Sequence, residues 1–169
     1  MTASTPQRRP VPNMDTTCFA CGSGNPCGLH MEFFTDGERL YSTVTPPPHT
    51  SGWENLLHGG IISTMLDEIM VWTAIHLLQK VILTKSMQVE FLRPIRVDTQ
   101  LDVQGWVDGQ ENERQARIRG VILDSRGKEM ARSKGEMALF APDSKSLQRI
   151  LPENILEKVQ KRFQGRERP

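Results

Sequence analysis

The chain has 169 residues, enough for one compact domain with tails and a proper core. Its 21 basic and 20 acidic side chains are intermixed and leave a formal net charge of +1, so no electrostatic footprint for nucleic acid is present. Met1 to Asn13 is rich in Pro, Arg, Thr and Ser without an apolar core, which argues against a secretory signal, and three cysteines cannot all pair. A soluble chain in a reducing, cytoplasmic setting is the expectation.

Residues 1–16 read as a flexible N-terminal arm, 17–142 as the folded domain and 143–169 as a helical extension. Cys18, Cys21, Cys27 and His30 follow as C-x2-C-x5-C-x2-H, four zinc-ligand types within thirteen residues. Gly22, Gly24, Pro26 and Gly28 would let such a knuckle fold tightly. Its second half is a short C-x2-H, however, and His30 leads into an expected strand. The expectation is a tight loop of small, reduced cysteines with no metal and no cofactor.

Leu29 to Thr35 and Arg39 to Thr45 are rich in strand formers, and Asp36-Gly37 between them signals a hairpin. Pro46-Pro47-Pro48 ends that pair and starts an irregular connection through Trp53 to His58. From Ile61 to Leu78 there is neither Pro nor Gly, and apolar residues occupy nearly every face, so a helix over about 59–79 is expected. Asp67, Glu68, Thr73 and His76 interrupt it, which favours a protein core over a membrane span.

Four strands follow: Thr84 to Leu92, Thr99 to Val107, Ala116 to Leu123 and Glu129 to Phe140, with a turn at Asp124-Ser125-Arg126-Gly127. Ser146 or Asn154 is a candidate cap for a terminal helix with Ile155, Leu156, Val159 and Phe163 as its apolar stripe. The excess of bases from Lys158 to Arg168 reads as its solvated end. The fold class is α+β: a long central helix wrapped by an antiparallel sheet of about six strands, with a C-terminal helix. Such a sheet has open edges, and pairing with a second copy is one remedy.

Buried helices rarely carry adjacent carboxylates, so Asp67 and Glu68 mark either a site or a narrow solvated stripe with Ser63 and Thr64. At the helix entrance, Gly59 and Gly60 offer bare backbone N–H groups at the positive end of the dipole, suited to polarising a carbonyl. Asp67 lies seven residues after Gly60, a rise of roughly 10 Å. One small carbonyl cannot be within hydrogen-bonding reach of both. If both act on one carbon, Asp67 comes from a second copy of the helix.

The hairpin, the His58-Gly59-Gly60 turn, Asp67 nine residues after the His, and Thr84 with Phe91-Leu92-Arg93-Pro94 resemble the hotdog-fold acyl-CoA thioesterases, specifically the PaaI-like branch. The opening Cys18-Phe19-Ala20-Cys21-Gly22, with Asn25-Pro26 and Gly28-Leu29, is similar to one group within that branch. The resemblance spans roughly residues 18 to 140 and implies a homodimer with antiparallel helices, often paired again as a dimer of dimers. It also implies hydrolysis of an acyl-CoA to free acid and CoA without metal or cofactor. In that scheme the N–H of Gly59 or Gly60 polarises the carbonyl, and His58 orients the turn or hydrogen-bonds the substrate. Asp67 of the facing subunit is general base or nucleophile, and Thr84 holds the lytic water.

Relatives often carry an Asn six residues before the His; this chain has Gly52 there, leaving Asn55 and Asn25 as candidate substrate contacts beside Ser63, Thr64 and Glu68. Glu68 points about 100° away from Asp67 around the helix, a position suited to a salt-bridge partner. Arg93, Arg96, Arg132 and Lys134 are available for CoA phosphates. Two other classes compete: a non-catalytic acyl-CoA-binding or regulatory domain, and a dehydratase or hydratase, for which His49 is the loose acid/base candidate.

Overall fold

A computed structural model describes residues 7–164. Its centre is α1 (Gly59–Leu78), whose Met65, Leu66, Ile69 and Met70 have no exposed surface. Around it runs one antiparallel sheet built from β1 (Arg9–Val11), β2 (Phe33–Thr35), β3 (Arg39–Val44), β6 (Val81–Phe91), β7 (Leu101–Asn112), β8 (Gln115–Leu123) and β9 (Glu129–Phe140), in the order β1-β2-β3-β7-β8-β9-β6. A separate two-stranded hairpin, β4 (Ser51–Trp53) with β5 (Leu56–Leu57), leads into the helix. By length and composition α1 is apolar enough to cross a membrane; here the sheet buries it.

The close approach of helix to sheet depends on Gly105 and Gly120, which face each other across β7 and β8. A Cβ at Gly105 would lie 2.3 Å from Thr73 Oγ1, and one at Gly120 would lie 2.8 Å from Ser133 Oγ and 3.2 Å from Leu66 Cδ2. Any side chain there would push α1 off the sheet, so glycine at these positions sets the depth of the helix. The helix ends at Gln79, which adopts the left-handed conformation at φ 53° and closes the last turn.

Several expectations need correction. Residues 1–6 of the expected arm lie outside the described residues, but Arg9 to Val11 form an edge strand paired with Phe33 to Thr35. The sheet therefore has seven strands, not six. The strand expected from Leu29 begins only at Phe33, because Leu29 and Met31 donate their N–H groups to Phe19 and Ala20 of the Cys loop instead. The extension starts with a short helix, α2 (Lys145–Gln148), and continues in α3 (Glu153–Gln164). Ser144 caps α2, accepting from the Leu147 N–H, while Ser146 and Asn154 lie inside α2 and α3. Leu147 and Leu156 bury themselves against Val81, which fixes the extension to the start of β6.

Candidate active site

His58 precedes α1 in an extended conformation (φ −63°, ψ 136°) and is its N-cap. Its Nδ1 accepts the Gly60 N–H at 2.9 Å, while its carbonyl takes the N–H of Ile61. The His58 ring is thereby tied to the turn, and the Gly60 N–H is engaged by it rather than left open to a carbonyl. Gly59, the first helical residue, keeps its N–H without a partner among the described residues. Phe91 stands beside it: a Cβ on Gly59 would lie 3.6 Å from the Phe91 ring. The ring is 56% exposed although strongly apolar, so the donor sits at the edge of an open hydrophobic surface.

Two turns along the helix, Asp67 Oδ1 accepts the Thr84 hydroxyl at 2.8 Å. The pairing joins α1 to β6 across seventeen residues of chain, and the half-buried carboxylate keeps its second oxygen for another donor. Among the described residues no ion pair neutralises it. A carboxylate oriented by one hydroxyl and open on one oxygen is equipped to take a proton from water or to attack a carbonyl itself.

The other expected contacts are used elsewhere. Ser63 and Thr64 donate back to the Gly59 and Gly60 carbonyls at 3.0 and 2.9 Å, the local bonding that helical hydroxyls favour. Asn25 stabilises its own loop by accepting from Cys27 N–H and donating to the Thr17 carbonyl, so it does not reach the site. Asn55 accepts from Arg96 at 2.7 Å. Gly52 lies against His58: a Cβ there would come within 3.2 Å of its Cα and ring, so a side chain at this position would require His58 to give by a few tenths of an ångström. Arg93 donates to the Glu129 carbonyl and Arg132 pairs with Glu90, which engages three of the four bases considered for phosphates. His49 faces the Cys27 carbonyl at 3.4 Å and not a carboxylate, so one protomer assembles no dehydratase-type pair around it.

Glu68 is the largest departure. It is not on a solvated face and forms no salt bridge among the described residues; it points into the packing between α1 and the Cys loop. Its Oε1 accepts the Trp72 indole N–H at 2.9 Å and meets Cys18 Sγ at 3.7 Å. Burial pushes its carboxyl up to about 7. Cys18 is pulled down to about 5, chiefly by the hydrogen bond from Cys21, while the Cys21 thiol, on the donating side of that bond, is pushed up. Nothing in the residue pattern separated Glu68 from Asp67 in this way, since the loop it meets is fifty residues distant.

Residues 54–116 match the family described as Thioesterase superfamily, and no curated protein matches the sequence. Solved structures share the fold. A thioesterase-superfamily protein superposes at TM-score 0.66 with 20% identity, over 73% of this chain and 60% of its own, so this chain spans less than two thirds of that relative. A hypothetical thioesterase from Streptococcus pneumoniae with coenzyme A gives TM-score 0.57 at 18% identity, covering 60% of this chain and 81% of the other. The PaaI protein of Escherichia coli gives 0.60 at 17%, covering 67% and 81%. The architecture is that of the hotdog fold, with α1 as the wrapped helix.

Proposed function

We propose that this hotdog-fold chain, with its thioesterase-superfamily segment at 54–116, hydrolyses an acyl-CoA thioester to the free acid and CoA. The observation that carries the reading is the pairing of Asp67 with Thr84 at 2.8 Å on the same helix that offers an unpaired Gly59 N–H. The thioester carbonyl oxygen accepts from Gly59, where the helix dipole favours negative charge. Asp67, held by Thr84, removes a proton from the attacking water, the tetrahedral intermediate collapses, and CoA leaves as a thiolate that is then protonated. The alternative course, attack by Asp67 itself to give a mixed anhydride that water then cleaves, uses the same atoms. Coenzyme A bound to the pneumococcal fold relative supports the substrate class.

Gly59 and Asp67 lie eight residues apart along one helix, a rise of roughly 12 Å. The reading therefore takes the donor from one protomer and the carboxylate from its partner in a homodimer or a dimer of dimers. β6 supports this: it is eleven residues long, is bonded to β9 alone, and forms an open edge beside Asp67. The half-buried Ile61 and Val71 on α1 and exposed Phe91 and Leu92 provide apolar surface for a second copy and an acyl group.

The test is a panel of acyl-CoAs assayed for free-thiol release with wild type and Asp67→Asn. Turnover of at least one acyl class, abolished by Asp67→Asn while binding persists, supports hydrolysis. Binding without turnover by wild type across the panel refutes it and leaves the regulatory-domain alternative.

A further inference from the structure

Cys18 and Cys21 sit in a turn built to aim two sulfurs at one point. Gly22 N–H donates to the Cys18 carbonyl at 2.9 Å, closing the turn between the two cysteines. A Cβ on Gly22 would come within 2.5 Å of the Cys18 carbonyl oxygen and 2.7 Å of that of Thr16, so the turn requires glycine after the second Cys.

The third member arrives from α1. Glu68 brings a carboxylate oxygen to the two sulfurs, and all three ligand atoms lie within 4.8 Å of one another. The Trp72 indole fixes Glu68 from behind at 2.9 Å. Two thiols and a carboxylate, drawn from segments fifty residues apart, converge in a partly buried setting where isolated anions are costly. The C-x2-C-x5-C-x2-H set weighed from the sequence does not come together: Cys27 is exposed, and His30 Nδ1 is bonded to the Gly22 carbonyl at 3.0 Å.

We infer that Cys18, Cys21 and Glu68 bind one zinc-class divalent cation, which ties the N-terminal loop to the helix that carries Asp67. Two sulfur ligands select a borderline-soft ion over magnesium or calcium, and three ligands at this spacing suit a tetrahedral centre. A cavity of about 370 Å³ that Cys21 lines together with Val11, Asn13, Glu32 and Phe33 brings solvent to the cysteine side of the cluster, the source of a water as fourth ligand. Asn13 Oδ1 lies 3.7 Å from Cys21 Sγ. Binding displaces the remaining thiol and carboxyl protons to solvent. Arg162, whose guanidinium lies 5.1 Å from the Trp72 ring centroid, places positive charge near the resulting anionic centre.

Cobalt(II) titration of the full chain, tag-free and kept reduced, tests this. Wild type should take up one equivalent, develop thiolate-to-cobalt charge-transfer absorption with the visible bands of a tetrahedral ion, and lose both on adding zinc. Glu68→Gln retains size and an oxygen for Trp72, and should weaken zinc binding by more than the about 10–100-fold that loss of an outer-shell partner costs. Cys27→Ser and His30→Ala should titrate as wild type does. Absence of thiolate–cobalt absorption in reduced wild type, unchanged affinity in Glu68→Gln, or loss of binding in Cys27→Ser or His30→Ala would each overturn the site. The readout is spectroscopic, so its failure is separate from any failure of the hydrolase reading.

Discussion

Replacing Gly59 by proline is expected to delete one atom pair, the N–H, and almost nothing else. Gly59 is the first helical residue, where proline is favoured because its missing donor has no intrahelical acceptor. His58 before it is at φ −63° and ψ 136°, the extended range that a following proline requires. A carbon placed on Gly59 meets Phe91 at 3.6 Å, an ordinary contact. The chain thus accommodates the ring, and the Gly60 N–H stays bonded to His58. Losing one oxyanion donor typically lowers kcat by about 10²–10³, or roughly 3–4 kcal/mol of transition-state stabilisation. Gly59→Ala keeps the N–H and should change the barrier by no more than about 0.5 kcal/mol. The assay is thiol release from the best acyl-CoA of the panel, with far-UV circular dichroism and Tm as folding controls. A folded Gly59→Pro enzyme within about threefold of wild type in kcat would refute the assignment of this donor. Subunit exchange adds a second constraint. Equal mixing of Gly59→Pro with Asp67→Asn chains makes half the dimers mixed, each with one intact and one doubly damaged site if the site crosses the interface, so about a quarter of wild-type activity returns. Verified exchange without recovery would place both groups in one protomer.

Four further outcomes are expected. Asp67→Asn should lower kcat by about 10²–10⁴ while binding of a non-hydrolysable acyl-CoA thioether, measured by calorimetry, persists; equal loss of binding would assign Asp67 a structural role. Light scattering at micromolar concentration should give two or four times the 19.1 kDa chain mass, and monomer alone would remove the cross-subunit site. Met65→Ala, at a fully buried position on α1, should cost about 2–5 kcal/mol in urea unfolding at fixed protein concentration. Gly105→Ala, forced against Thr73 Oγ1, should cost about 1–3 kcal/mol, part of it recovered by Thr73→Ala.

The elements legible in the sequence were those whose pattern is long. The central helix, expected over about 59–79, spans Gly59–Leu78, and the strand expected from Glu129 to Phe140 has those bounds. The helix was legible because it is apolar on nearly every face and free of Pro and Gly from Ile61 to Leu78, and the strand because a half-covered sheet imposes alternation along its length. β1 escaped because it has three residues, one of them Pro10, and only its edge position makes that proline tolerable. β4 and β5 are shorter still than the reach of any pattern. The cap at α1 was missed for a different reason. Ser, Thr, Asp and Asn are the usual capping types, so an imidazole nitrogen accepting from Gly60 carries no sequence signal.

The adjacent carboxylates show most clearly what a linear reading leaves open. Consecutive helical residues diverge by about 100°, so a pair of acids in one helix cannot serve one small site together. That geometry was available from the residues alone, and it separates Asp67 from Glu68. Where each then points depends on which strands and loops the fold brings alongside, and those lie seventeen residues after Asp67 and fifty before Glu68. Asp67 meets Thr84 beside the β6 edge, where the proposed site lies. Glu68 meets Cys18 and Trp72 in a packed layer, where a carboxyl is driven toward its neutral form unless a cation joins it. The two environments call for different chemistry from identical functional groups one residue apart. A single helical step thus gives one carboxylate to the proposed hydrolytic site and the other to the cysteine loop.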